Sequence, residues 1–231
     1  NLTKHQLIEL DACTRCGECI KWCPVTALPE YKNNTPMDKI AEYRAFVQNE
    51  HGWRSRIIKP RPIPKERLDA FADAVYKCTT CGRCGVVCPV GIHCQELWPS
   101  IRANLVDLGY GPIESINEAR RILEDKHNPF DLPYDERNNW IPKDFDNPQN
   151  ADLAFFVGCE LAYRTEPMAT GALKVLKAAG VQFTLLEDEW CCGFPLYVLG
   201  DRGEEFKAEI EHNIEQLRNK GVKKVVPSCP C

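Results

Sequence analysis

The sequence lacks any long hydrophobic run. Its longest strongly apolar stretch, Leu153 to Val157, is far too short to cross a bilayer. A signal peptide is also missing, because Asn1-Leu2-Thr3-Lys4-His5 opens directly into a polar helical pattern. Nor is there an excess of positive charge: a formal net charge of -4 gives no general attraction for nucleic acid or an anionic membrane surface. A soluble chain is therefore expected, with no transmembrane segment of its own and no nucleic-acid partner. The sequence begins without Met and stops on Cys231 inside a cysteine motif, so truncation at both ends is expected as well.

What is plentiful is cysteine, 14 in 231 residues. With 44% hydrophobic residues the chain can bury real cores and make one large or two ordinary domains. Cysteine at this level means a disulfide framework in a small secreted protein and metals in an intracellular one. Spacing decides for metals. Cys13-Thr-Arg-Cys16-Gly-Glu-Cys19-Ile-Lys-Trp-Cys23-Pro24 is C-x2-C-x2-C-x3-C-P, the spacing of a bacterial ferredoxin cluster loop. Three closely spaced thiolates suit one face of a cubane, and the fourth, before proline, turns away toward a second cluster. The same motif returns as Cys78, Cys81, Cys84, Cys88 and Pro89, after 54 intervening residues. Cys13, Cys16, Cys19 and Cys88 are accordingly expected to hold one 4Fe–4S cubane, and Cys78, Cys81, Cys84 and Cys23 the other. Cys94 reads as a small apolar filler and His93 as a packing or hydrogen-bonding side chain, so neither receives a site role.

Around these motifs the pattern is helical. Apolar spacing predicts helices over about 2–10, 38–50, 96–108 and 113–125, with another entering through Pro64 and running by Leu68, Phe71, Ala72 and Val75. Trp53 to Pro64 is proline-rich and basic, and reads as a solvated connector. From His127 to Asn150 four prolines and many Asn and Asp suggest an extended strap. The expected division is a helical two-cluster domain over 1–110, a helix and linker over 111–150, and a third segment over 151–231.

That last segment changes period. Asp152 to Val157 reads as a strand, a helix follows behind Thr165 and Pro167, and Val181 to Leu186 is a second strand. A helix over Glu204 to Asn219 leads to a third strand, Val222 to Val226. Strand-helix-strand-helix-strand means a parallel sheet, so the chain is α+β overall: a helical ferredoxin-like half, then an α/β half. Cys159, Cys191, Cys192 and Cys229 all fall just after the carboxyl end of a strand, the edge where open α/β sheets bind ligands. In Glu189-Trp-Cys191-Cys192-Gly193-Phe-Pro195, glycine allows close approach and proline is expected to keep the backbone from continuing into a helix. Glu160, Asp188 and Glu189 lie near these cysteines and read as ordinary loop acids.

The second half resembles the cysteine-rich CCG domain of heterodisulfide reductases and related oxidoreductases. Here 31 residues separate Cys159 from Cys191 and 36 separate Cys192 from Cys229, close to that family's spacing. The resemblance implies that Cys159, Cys191, Cys192 and Cys229 ligate a non-cubane 4Fe–4S centre. Cys231 occupies an intervening position and is a neighbour or a substitute ligand. Two ferredoxin motifs ahead of a CCG domain resemble the fused D-type subunit of heterodisulfide reductase. Leu10-Asp-Ala-Cys-Thr-Arg-Cys-Gly-Glu-Cys, with Trp-Cys-Pro-Val-Thr after it, looks most like the K-subunit group of the sulfite-reduction-associated Dsr membrane complex. This implies a disulfide reductase component that passes single electrons through two cubanes to the CCG centre. Its donor would be a quinol-oxidising, haem b membrane subunit or another electron-donor subunit, and its substrate a disulfide or a small sulfur-carrier protein. The location implied is cytoplasmic, peripheral on the inner face of the cell membrane. The alternative is a relay without a substrate of its own, serving a flavin-linked dehydrogenase of the glycolate, lactate or glycerol-3-phosphate type.

Overall fold

Helix caps and apolar stripes settle most of the architecture. The computed structural model describes residues 2–229. It forms two compact units, one running to Ile113 and including Val198–Asp201, the other Glu114–Tyr197 with the chain from Arg202 onward.

Among the described residues the first unit is helical: α1 (Lys4–Ala12), α2 (Glu18–Trp22), α3 (Pro36–His51), α4 (Lys65–Tyr76), α5 (Arg83–Val86) and α6 (Cys94–Asp107). A capping box starts α1, with the Gln6 N–H donating to Thr3 Oγ1 at 3.1 Å and the Thr3 N–H to Gln6 Oε1 at 3.0 Å. Thr35 caps α3 ahead of Pro36, accepting from the Asp38 N–H at 3.0 Å. The stripes Ile40/Tyr43/Phe46, Phe71/Val75 and Leu97/Trp98/Ile101/Leu105 close into one core. Cys13, Cys19, Cys78, Cys84 and Cys88 pack on it, so the cluster loops rest on rigid helices. The connector after α3 is open to solvent at Trp53, Arg54, Arg56, Ile57 and Ile58.

The second unit continues with α7 (Ile113–Lys126), β1 (Leu153–Phe156), α8 (Gly158–Tyr163), α9 (Glu166–Ala178), α10 (Phe194–Leu199, in this unit through Tyr197), α11 (Glu204–Asn219) and β2 (Lys224–Pro227). β1 and β2 pair in parallel, Leu153 opposite Lys224 through Phe156 opposite Pro227. Trp140, Phe155, Leu173, Phe183 and Leu185 fill its core.

Two sequence expectations change. Val181–Leu186 is not a full strand; it touches β1 through one parallel bridge, Thr184 to Ala154. Asn147 lies on its far side. Its Oδ1 accepts from the Leu185 N–H at 2.8 Å and its Nδ2 donates to Leu185 O at 3.2 Å, so a side chain stands where a further strand would pair. The second change is at Phe194-Pro195, which opens α10 instead of preventing a helix. Proline in a first turn forfeits only an N–H that would be unpaired anyway.

Candidate metal centres

The two ferredoxin-type loops fold alike. Arg15 and Thr80, each two residues after the first cysteine of its motif, take left-handed φ of 58° and 53°. Gly17 and Gly82 follow with φ of 79° and 73°, and the short helices α2 and α5 start directly after them. Left-handed turns aim successive N–H groups inward. In the second loop the Thr80 N–H accordingly reaches Cys78 Sγ at 3.4 Å.

A small cavity of about 30 Å³ is lined by Cys13, Cys16, Cys19 and Cys88, the four cysteines grouped by spacing, together with Cys84 and Cys94. Burial first, then the neighbouring thiols of Cys84, Cys13 and Cys16, pushes Cys19 up to about 11. Such crowding disfavours bare thiolates and is relieved by a positively charged metal group. Cys84 is lowered to about 6 by a hydrogen bond from Cys94, which itself keeps its proton. Cys94, read from sequence as filler, thus reaches the sulfur set. No periodicity marks it, because its burial follows from where α6 begins.

Of the second set, Cys78, Cys23 and Cys84 all act on Lys39, whose ammonium is lowered by burial and raised by those three sulfurs. Cys81 stands exposed on the loop between Cys78 and Cys84. The buried Arg102 guanidinium fixes the start of this loop, donating to Cys78 O at 2.6 Å and Val75 O at 3.1 Å.

In the second unit, Cys191 is 1% exposed while Cys192 opens to solvent. Cys191 lies between Cys159 and Cys192 and keeps its proton, because both neighbouring sulfurs accept it. The Cys191 contact lowers Cys192 to about 6 and also lowers Cys159, where Arg137 adds to the effect. Gly193 follows with φ of 76°, and a Cβ there would meet Phe206 Cδ2 at 3.1 Å. Only glycine leaves α11 free to pack behind the cysteine pair.

α11 holds the pair from behind. Asn213 Oδ1 accepts from the Trp190 N–H at 2.9 Å, and its Nδ2 donates to Cys191 O at 3.0 Å. Trp190 is stacked between His127 and His212, with ring centroids 3.5 and 3.8 Å away. Burial, with Cys159 next, pushes Glu209 up to about 8, and its Oε1 lies 2.8 Å from His127 Nδ1.

Glu189, an ordinary loop acid in the sequence reading, is 2% exposed. It accepts from the Val157 N–H at 2.9 Å, the Gly158 N–H at 2.8 Å and the Arg137 guanidinium. Arg137 also donates to Cys159 Sγ at 3.4 Å. Neither residue has a sequence signal beyond proximity, since Arg137 lies in the strap and its contacts are long-range. Cys229 follows Ser228, whose N–H donates to Phe156 O at 3.0 Å and whose hydroxyl donates to Val157 O, beside Gly158-Cys159. Cys231 lies outside the described residues.

The donor chemistry fits iron–sulfur groups. The ligands are soft thiolates, gathered so closely that they perturb one another, with N–H donors directed at Cys78 and Cys159.

Comparison with known proteins agrees. Residues 9–92 match the 4Fe-4S dicluster domain model, and residues 153–231 match the cysteine-rich CCG model. The D subunit of dihydromethanophenazine:CoB–CoM heterodisulfide reductase from Methanosarcina mazei is 41% identical over 99% of this chain and 57% of its own length. Its counterpart of the same name from Methanosarcina acetivorans is 40% identical with the same coverage. The B subunit of fumarate reductase (CoM/CoB) from Methanothermobacter marburgensis is 26% identical over 83% of this chain and 36% of its own length. The chain thus spans a little over half the length of the heterodisulfide reductase relatives. No solved structure matches it. Among the described residues no helix is long and apolar enough to cross a membrane.

Proposed function

This chain belongs to the CCG iron–sulfur proteins, like the D subunit of heterodisulfide reductase, and from that premise we propose that it is the electron-transfer and disulfide-reducing part of a multi-subunit oxidoreductase. The observation that carries the reading is the meeting of Cys159, Cys191 and Cys192 at one point, with Cys192 open to solvent. A relay has no need of a sulfur site that faces the outside.

Cys13, Cys16, Cys19 and Cys88 would hold one 4Fe–4S cubane and Cys78, Cys81, Cys84 and Cys23 the other. Cys159, Cys191, Cys192 and Cys229 would hold a third, non-cubane 4Fe–4S group. When bound, these groups supply one-electron transfer at low potential. Cleaving one S–S bond takes two electrons and two protons and releases two thiols. Cys192 faces the side from which a disulfide approaches, while Asn213, Trp190 and Glu189 keep the cysteine turn from shifting as charge arrives. The proposed segments are 1–110 for the cubanes and 151–231 for the sulfur site, and the intervening 111–150 adds Arg137 and His127 around that site.

The substrate class is a small disulfide, or a di- or trisulfide on a sulfur-carrier protein. The donor would be a quinol-oxidising, haem b membrane subunit or an equivalent electron-donor subunit. The chain would then sit on the cytoplasmic face of the membrane through its partner.

The test is turnover with a reduced viologen dye and an asymmetric thiol disulfide. The loaded protein is expected to release two thiols per two electrons, and Cys192→Ala to lose turnover while its cubanes still reduce. Dye oxidation by the cubanes with no thiol release from any disulfide would identify a relay instead.

A further inference from the structure

A group of thiolates that must accept an electron needs positive charge nearby, because reduction makes the assembly more negative still. In the second unit that charge comes from Arg137. Its guanidinium is 2% exposed, donates to Cys159 Sγ at 3.4 Å and pairs with Glu189. Glu189 is in turn held by the Val157 and Gly158 N–H groups, the two backbone donors that immediately precede Cys159. The Tyr163 ring lies 5.8 Å from the guanidinium. The cation therefore cannot swing away: carboxylate, guanidinium and sulfur are locked to one stretch of backbone. Arg137 comes from the strap, not from a helix, so these side-chain bonds fix its position.

We infer that Arg137 is a positioning residue that sets the reduction potential of the centre at Cys159, Cys191, Cys192 and Cys229. It holds that potential high enough for electrons to enter from the cubanes. The inference rests on the reading that Cys159 ligates an iron–sulfur group. One electron is added and no atom is transferred. The fixed guanidinium stabilises the more negative, reduced form more than the oxidised one, both through its charge and through a hydrogen bond that strengthens as the sulfur gains electron density. Arg137 touches the ligand and not the substrate, so its effect belongs in the potential and not in substrate binding.

The experiment is a potentiometric titration of the iron-loaded protein, followed by EPR, with iron counted in each sample. Glu189→Gln is compared with Arg137→Met/Glu189→Gln, so that the Arg137 charge is the only difference and no buried carboxylate is left alone. The expected result is at least a tenfold weaker reduction of the third centre, a midpoint at least 59 mV more negative for one electron. Both cubane midpoints should stay in place. Arg137→Lys, which keeps the charge but loses the fork, should shift the midpoint less and in the same direction. This lysine variant decides the matter if the double variant fails to take up iron.

A purely structural role would lower iron occupancy without moving the midpoint of the loaded fraction. A third couple that is present and unmoved in these variants overturns the inference and leaves the disulfide-reductase reading standing. A wild-type protein with cubane couples alone overturns both.

Discussion

Replacing Glu189 with Ala is expected to be among the most damaging single changes in the second unit, and more damaging than changing both members of its ion pair. The carboxylate serves three donors: the Arg137 guanidinium and the N–H groups of Val157 and Gly158. Arg137 and Glu189 are each 2% exposed, so Ala leaves the cation in the interior without its carboxylate, with only the Cys159 sulfur beside it. Breaking a buried pair from one side costs about 3–5 kcal/mol, because the surviving charge is uncompensated. Two unpaired N–H groups add about 1 kcal/mol each at the low end of the usual range. The sum, roughly 5–7 kcal/mol, is comparable to the whole stability of many domains.

Arg137→Met/Glu189→Gln removes both charges, yet the Gln oxygen still accepts from the two backbone donors and Met fills the guanidinium space. Replacing both partners of a buried pair is often close to neutral, so a cost of about 1–2 kcal/mol is expected. Urea unfolding followed by hydrogen exchange at the Phe155 to Val157 amides reads both numbers. A Glu189→Ala cost below about 1 kcal/mol, or a double variant as damaged as the single one, would refute the reasoning, since the damage would then not come from the uncompensated charge.

Three further outcomes follow from the geometry. Asn147→Ala should cost about 1–2 kcal/mol in chemical denaturation, because it unpairs the buried Leu185 N–H and removes one of the two donors to Leu185 O. Thr80→Gly should stabilise the iron-loaded protein by about 1 kcal/mol, since a β-branched residue at φ 53° is strained; an unchanged or lower melting temperature would contradict this. The third concerns a titration. Glu9 raises His93 by accepting its hydrogen bond, and those bonds hold Glu9 below its usual range although burial opposes the shift. The His93 contribution is full below its unfolded pKa and is lost as pH rises through its raised folded value. The Glu9 contribution is present above its unfolded pKa and is lost as pH falls through its lowered folded value. Glu9→Gln should bring the His93 midpoint, followed by NMR, back down toward about 6.5; a midpoint that stays raised would mean another group sets it.

Much of this was legible because it was local. The helix over Glu204 to Asn219 has the bounds its apolar spacing suggests, and the ferredoxin-type loops repeat in backbone angles as they do in letters. What sequence missed was long-range. The strap from 127 to 150 looks like a linker by composition, yet Asn128, Arg137 and Trp140 are buried in the second unit. Arg137 bonds to Cys159 and Glu189 and Trp140 shares a core with Phe155 and Phe183, and no period of 2 or 3.6 reports such contacts. The Val181–Leu186 run carries strand letters on both sides of its bridge, but Asn147 occupies the pairing edge that letters alone assign to a neighbouring strand. Cys94 is buried in the core of the first unit, as a small apolar filler is expected to be, and its contact with Cys84 is a detail that no letter reports.

The central claim is that sulfur substrate engages the cysteines at Cys159, Cys191 and Cys192. EPR of the iron-loaded protein, oxidised with and without a small thiol, tests it most directly. A paramagnetic signal that appears only with thiol and is lost in Cys191→Ala, while the cubane signals persist, is the predicted result. An oxidised spectrum that the thiol leaves unchanged would contradict the claim and leave this chain a carrier of electrons alone.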